Sequence, residues 1–198
     1  MSETRNYVAP GWDEVYAMLL DLALRIRRSG FKADLIVGVS RGGWAPARIF
    51  SDLLENTRTA NIKIEFYTGL AKTAIKPIVT QPISDVIAGK NALVVDDVSD
   101  TGESLKVALD HLLKMGAASV KTVTIYYKPR SVFKPDFYAT LTSDWIIFPW
   151  ERLEATKLLL DEAKAAGRDV ESVRDILRKC NFSDKTIDSL YQLVNGEA

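Results

Sequence analysis

The sequence predicts a doubly wound α/β fold, a mainly parallel sheet flanked by helices, followed by a small all-helical tail. Three observations carry this. Strand-like and helix-like periodicities alternate along most of the chain. The strands around Ile36 and Val94 are apolar throughout, as a sheet covered on both faces requires. Both run into turns rich in glycine or aspartate, at the strand ends where open α/β sheets hold ligands.

The elements follow in order. From Trp12 to Arg28, Val15, Met18, Leu19, Leu22 and Ile26 recur at helical spacing, with Asp13 and Glu14 in the first turn and Gly30 at the stop. Asp34 to Val39 reads as a short buried strand ending at Ser40-Arg41-Gly42-Gly43, and a helical pattern follows through Ile49, Leu53 and Leu54. Asn61 to Tyr67 alternates Ile62, Ile64 and Phe66 with Lys63 and Glu65, which is strand periodicity. Thr68 to Pro82 has no clear period and is read as a long functional loop. Ala92 to Val95 is an apolar strand entering Asp96-Asp97. Gly102 to Met115 is a helix whose apolar face is Leu105, Ala108, Leu112 and Met115. Ser119 to Tyr127 is another strand, and Asp144 to Phe148 the last.

Beyond Glu151 the strand pattern and the prolines stop. Leu153, Leu159 or Leu160, and Ala163 mark one helix; Val170, Val173, Ile176 and Leu177 a second, with Asp169 as N-cap. A third starts at Ser183, with Phe182 and Ile187 placed as a hydrophobic staple, and shows Ile187, Leu190, Tyr191 and Val194 on one face. The expected division is a core over 1–151 and a helical subdomain over 152–198, too small to be stable alone.

Charge and composition narrow the function. Among 198 residues, 26 Lys and Arg offset 26 Asp and Glu, so no global positive field holds nucleic acid, and any bound anion needs a local site. The tail is not a basic arm either. A single cysteine, Cys180, excludes an intramolecular disulfide framework. No apolar run approaches the ~20 residues that span a bilayer, and Met1 to Pro10 lacks an apolar signal region. The expectation is a cytoplasmic protein with neither nucleic-acid nor membrane partners.

The most informative stretch is Ala92-Leu-Val-Val-Asp-Asp-Val-Ser-Asp-Thr-Gly-Glu-Ser-Leu105. A buried strand delivers Asp96 and Asp97 to the carboxyl edge of the sheet. Asp100, Thr101, Gly102, Glu103 and Ser104 form the turn into a helix, whose first N–H groups, two hydroxyls and a glycine suit a phosphate. The carboxylate pair suits sugar hydroxyls or a shared Mg²⁺. A receiver-like acidic pocket is the rival reading, and the Ser99–Ser104 cradle argues against it. Neither a P-loop nor a dinucleotide-binding glycine fingerprint is present. A second site, Gly38-Val-Ser-Arg-Gly-Gly43, offers two glycines for close approach to an anion and the guanidinium of Arg41.

Asp96-Asp97-Val-Ser-Asp-Thr-Gly-Glu-Ser104 resembles the phosphoribosyl-pyrophosphate (PRPP) signature of type I phosphoribosyltransferases. The resemblance implies that Asp96 and Asp97 bind the ribose hydroxyls and, through these or water, Mg²⁺. Asp100 to Ser104 would wrap the 5′-phosphate, and Asp100 would act as general acid/base near N7 of the base. Ser40, Arg41 and Gly42 look like the family's pyrophosphate loop, with the Ser40–Arg41 peptide often strained or cis and Arg41 a catalytic candidate alongside Asp100. The Thr68–Pro82 segment corresponds to a loop that closes over pyrophosphate, with Lys72 and Lys76 as candidates to meet it.

Tyr127-Lys128-Pro-Arg-Ser-Val-Phe-Lys-Pro-Asp-Phe137 and Asp144-Trp-Ile-Ile-Phe-Pro-Trp-Glu151 are similar to the hypoxanthine-guanine and xanthine-guanine branch. By that resemblance Trp145 stacks on the purine, the Ile146 backbone meets its pyrimidine edge, Lys128 donates to O6, and Glu151 lies near the base and the metal. A lysine ammonium offers only donors, so it matches a carbonyl oxygen and opposes the 6-amino group of adenine. The helical tail departs from short microbial members of this branch and resembles that of some archaeal adenine-specific enzymes. Adenine therefore stays open as the alternative base. The expected enzyme is a purine phosphoribosyltransferase, a homodimer using PRPP, a purine base and Mg²⁺. A PRPP-sensing regulator is the more distant reading, and a pyrimidine enzyme conflicts with the Lys128–Glu151 stretch.

Overall fold

In the computed structural model, which describes residues 6–68 and 75–196, the two apolar strands lie side by side at the centre of one sheet. β2 (Leu35–Ser40) and β5 (Asn91–Ser99) pair in parallel, with Val37 opposite Val94 and Gly38 opposite Val95. β3 (Thr59–Thr68) flanks β2, while β6 (Ser119–Tyr127) and then β7 (Phe137–Leu141) extend the β5 side, all in parallel. β4 (Ile75–Gln81) closes the far edge antiparallel to β3, giving the order β4-β3-β2-β5-β6-β7. The chain leaves β2 toward one side of the sheet and returns as β5 on the other. The carboxyl ends of this central pair are the crevice where such sheets bind ligands.

The chain divides into two compact units. One comprises residues 15–143; the other joins 1–14 to 144–198. In the first, α2 (Trp44–Leu53) and α3 (Glu103–Lys114) follow the two central strands. Leu35, Val37, Val39, Ile62, Val94, Leu105, Ala108 and Leu112 pack into one buried cluster. α1 (Trp12–Arg28) spans the residues the periodicity assigns to it and buries Val15, Leu19, Leu22, Ala23 and Ile26, with Met18 only half-buried.

In the second unit, β1 (Tyr7–Val8) and β8 (Trp145–Ile146) form a parallel two-stranded sheet. α4 (Arg152–Ala165), α5 (Val170–Lys179) and α6 (Asp184–Asn195) complete it. Asp169 and Ser183 are the N-caps of α5 and α6, their side chains accepting the N–H of Ser172 and Thr186. Phe182 and Ile187, the two staple positions, are buried in one cluster with Leu159, Val173, Leu177 and Ile147.

Several elements differ from the sequence reading. The Thr68–Pro82 segment contains strand β4, which tolerates Pro77 because it is an edge. β7 is an additional strand. Asp144–Phe148 is not a last strand of the main sheet: only Trp145 and Ile146 are extended, and they pair with β1. α2 buries Pro46, Ala47 and Phe50, while Ile49, Leu53 and Leu54 are half-buried. Leu153, Val170 and Met115 are exposed. The contact boundary falls between Ser143 and Asp144, because Ile147 packs among the tail helices and Trp145 packs against them. Among the described residues no helix is long and apolar enough to cross a membrane.

Candidate active site

β5 carries its apolar run to Val95 and then presents two carboxylates. Side chains alternate along a strand, so adjacent aspartates leave on opposite faces. Here each is turned back on its own backbone: Asp96 Oδ1 accepts the N–H of Asp97 at 3.1 Å, and Asp97 Oδ1 accepts that of Val98 at 2.8 Å. Asp97 is buried, with 7% of its surface exposed. Asp96 keeps some surface open. Even so, burial by the surrounding protein, reinforced by the Asp97 carboxylate, pushes its carboxyl well above the ordinary range despite the N–H it accepts. Two closely placed carboxylates resist ionising together and gain from a cation. The donor set is hard oxygen, which fits a Mg²⁺ that keeps water and substrate oxygens as its remaining ligands.

The loop after β2 reaches the same place. The Ser40–Arg41 peptide is cis, Gly43 N–H donates to Val39 O at 2.8 Å, and Trp44 N–H donates to Arg41 O at 3.1 Å as α2 begins. Gly42 passes directly over Asp97: a Cβ there would fall 2.5 Å from Asp97 Cγ and 2.6 Å from Oδ1. Only a residue without a side chain lets the loop lie on the carboxylate. The glycine-arginine loop and the acidic pair, far apart in sequence, therefore form one surface. Asn61, on β3, sits beside Ser40, its Nδ2 3.5 Å from Ser40 Oγ.

The turn from β5 into α3 is built around Gly102, with φ +80°, a left-handed conformation that favours glycine. Its missing side chain also leaves room for Phe133, whose amide nitrogen would lie 2.7 Å from an added Cβ. As N-cap of α3, Gly102 offers no side-chain acceptor, so the first-turn N–H groups point at whatever occupies the turn. Glu103 N–H makes only a long 3.4 Å approach to Thr101 Oγ1, and Ser104 lies in the same first turn.

A second loop braces this one. Because β6 runs parallel beside β5, with Ser99 opposite Tyr127, the residues just past each strand are neighbours. Lys128 N–H donates to Ser99 O at 3.0 Å and Val132 N–H to Thr101 O at 2.8 Å. Ser99 Oγ donates to Phe133 O at 3.0 Å and lies 2.9 Å from Ser131 Oγ. Arg130 forks onto Asp100, with Nη2 2.6 and 2.8 Å from Oδ1 and Oδ2 and Nε 3.2 Å from Oδ1. Lys128 is buried, 6% exposed, and its Nζ approaches Ser143 O at 3.4 Å.

The sequence-derived candidates are thus distributed as follows. Ser40, Arg41, Gly42, Asp96, Asp97, Asp100 to Ser104 and Lys128 all sit on the carboxyl ends of β2, β5 and β6, or the turns after them, in the first unit. Lys76 is exposed on β4, and Lys72 lies outside the described residues. Trp145, Ile146 and Glu151 belong to the other unit. There Trp145 N–H donates to Asn6 O, and Glu151 Oε1 accepts the N–H of Phe148 at 3.1 Å. Arg130 was the omission. Its signal was positional, since parallel neighbours bring the residues after Tyr127 beside those after Ser99.

A model of the phosphoribosyl transferase domain matches residues 11–152. The chain is 34% identical to xanthine-guanine phosphoribosyltransferase of Idiomarina loihiensis over 146 residues, covering 71% of this chain and 84% of that one. It is 28% identical to xanthine-guanine phosphoribosyltransferase of Gluconobacter oxydans, covering 75% and 87%. Among solved structures it resembles a purine phosphoribosyltransferase from Pyrococcus horikoshii, with TM-score 0.67 and 36% identity over 73% of this chain and 93% of that one. The crevice between β2 and β5, its two glycine-dependent loops and a family match that runs through every site candidate agree: the chain belongs to the phosphoribosyl transferase domain family.

Proposed function

We propose that the chain transfers the 5-phosphoribosyl group of PRPP to N9 of a 6-oxopurine, giving a nucleoside monophosphate and pyrophosphate. The observation that supports this is the seating of Gly42 on Asp97, because it puts the glycine-arginine loop and a carboxylate of the acidic pair on one surface. Asp96 and Asp97 hold the ribose hydroxyls. Asp100, Thr101, Gly102, Glu103 and Ser104 surround the 5′-phosphate, and Ser40, Arg41 and Gly42 the pyrophosphate. Lys72 and Lys76 are proposed for pyrophosphate, and Trp145, Ile146 and Glu151 for the base, on the resemblance alone. Mg²⁺ would be held by Asp96 and Asp97, through hydroxyls or water, and would supply positive charge to the leaving pyrophosphate; Glu151 is a metal candidate on the resemblance alone.

As N9 bonds to C1 and the C1–oxygen bond breaks, pyrophosphate departs with the electron pair and Asp100 takes the proton from the imidazole ring. The chain's part is orientation and charge. The buried Lys128 beside the 99–104 loop supports an oxygen at position 6, and the curated relatives carry xanthine and guanine in their names. Both weigh against adenine. A homodimer and a cytoplasmic location complete the reading.

The test is a competition among adenine, hypoxanthine, guanine and xanthine at equal concentration with PRPP and Mg²⁺, products separated by chromatography. Oxopurine nucleotides are expected, and Lys128→Ala should reduce their formation about 10-fold or more, as expected when a carbonyl loses its donor in a dry site. AMP alone would overturn the base assignment. PRPP binding without any nucleotide product would favour the sensor reading.

A further inference from the structure

The pair between Arg130 and Asp100 does little for the fold. Its side chains are 70% and 43% exposed, and such pairs contribute little to stability. The two loops are already fastened by the backbone bonds Lys128–Ser99 and Val132–Thr101, one on each side of Arg130. What the fork does determine is the orientation of the Asp100 carboxylate. An ionised carboxylate has about four lone-pair sites. Arg130 occupies two on Oδ1, through Nε and Nη2, and one on Oδ2, through Nη2.

We propose that Arg130 is a positioning residue that fixes Asp100 so that Oδ2 keeps one lone pair for the proton of the purine imidazole ring. This rests on the reading of Asp100 as general acid/base. When N9 bonds to C1, the ring N–H bond breaks, its electrons return to the ring, and the proton passes to Oδ2. Oδ1 stays in the guanidinium fork throughout, so the carboxyl does not rotate as it changes charge. A lysine could hold one oxygen but not the fork.

The experiment compares the wild type with Arg130→Ala, Arg130→Lys, Asp100→Asn and the Arg130→Ala/Asp100→Asn double variant. Turnover, KM for PRPP and for the preferred base, and thermal unfolding are measured for each. Expected is a ~10- to 100-fold lower kcat for Arg130→Ala, with KM for PRPP unchanged and unfolding unaltered. Partial recovery is expected in Arg130→Lys, and no further loss when Arg130→Ala is added to Asp100→Asn. Arg130→Gln replaces the alanine variant should that one fail to fold. Wild-type kcat in Arg130→Ala beside a slow Asp100→Asn would overturn this inference alone, as would an equal loss in both backgrounds. Wild-type kcat in Asp100→Asn would remove the underlying reading, and the inference with it.

Discussion

A single absent methyl group decides whether the two central loops can share one surface. Gly42 does not need an unusual backbone; it needs the volume that Asp97 fills. Gly42→Ala would force the loop or the carboxylate to move by about an ångström. Misplacement on that scale at a reacting centre lowers rates by up to ~100-fold. The expected outcome is a ~10- to 100-fold loss of kcat/KM for PRPP with a thermal midpoint close to the wild type, since the added Cβ meets a carboxylate at the end of the sheet and not the apolar core. Steady-state kinetics beside a melting curve check it; wild-type kinetics would mean that the pyrophosphate loop has slack. This requirement could not be read in the sequence. Gly42 stood out there as one of two adjacent glycines, and nothing local says that Asp97 lies beneath it. The carboxylates, Arg41 and the Gly102 turn were legible because strand periodicity and a long motif announce them. Arg130 was hidden because its partner is 30 positions away.

At the scale of elements, the buried parallel strands were legible and the edges were not. β2 and the first half of β5 are continuously apolar, and β6 is rich in β-branched and aromatic residues. β4 and β7 are half-covered, so neither alternation nor a continuous apolar run marks them. The buried face of α2, Pro46, Ala47 and Phe50, carries two small residues that do not announce it, and Ala47 is where the helix comes close to the sheet: a Cβ on Gly38 would lie 3.1 Å from its side chain. β7 is instead pinned by a polar anchor at its start. Asp136 accepts from Lys121 Nζ at 2.7 Å and from the N–H and hydroxyl of Thr122 at 2.9 Å each, while its own N–H donates to Thr122 Oγ1 at 3.0 Å. Burial alone would raise its carboxyl; the hydrogen bonds from Lys121 and Thr122 outweigh that and hold it below the ordinary range. A lowered folded value means that the carboxylate stabilises the fold above the unfolded value, and that this is lost as pH falls through the folded one. The Asp136 side chain is 29% exposed, so Asp136→Asn is expected to cost about 1–3 kcal/mol at neutral pH. The gap between variant and wild type should narrow as the pH falls from about 5 toward 3 in urea unfolding. A gap independent of pH would assign the effect to the Asn side chain's shape instead of to charge.

For the whole molecule, the place where the chain divides changes what the helical tail does. Sequence composition puts the break at Glu151, where strands and prolines end. Packing puts it at Ser143/Asp144, because the segment carrying Trp145, Ile146 and Ile147 is folded into the unit that contains α4, α5 and α6. Ile147 is fully buried among Leu159, Val173, Leu177 and Ile187, and its N–H donates to Val8 O at 2.8 Å. A two-stranded sheet of two residues per strand cannot persist without such cover. A chain ending at Glu151 should therefore keep the core of residues 15–143 and lose order in 144–151. Hydrogen exchange is expected to show protected amides in β2, β5 and β6 and fast exchange at Trp145 and Ile147. PRPP binding without Mg²⁺, followed by calorimetry, should survive, since its proposed ribose, 5′-phosphate and pyrophosphate contacts lie on the first unit. Base turnover should fall, because Trp145 and Ile146 are proposed to meet the purine. Protection at Ile147 in the shortened chain, or unchanged base turnover, would show that the tail is not what holds this segment. Loss of PRPP binding as well would mean that the first unit does not stand without the second.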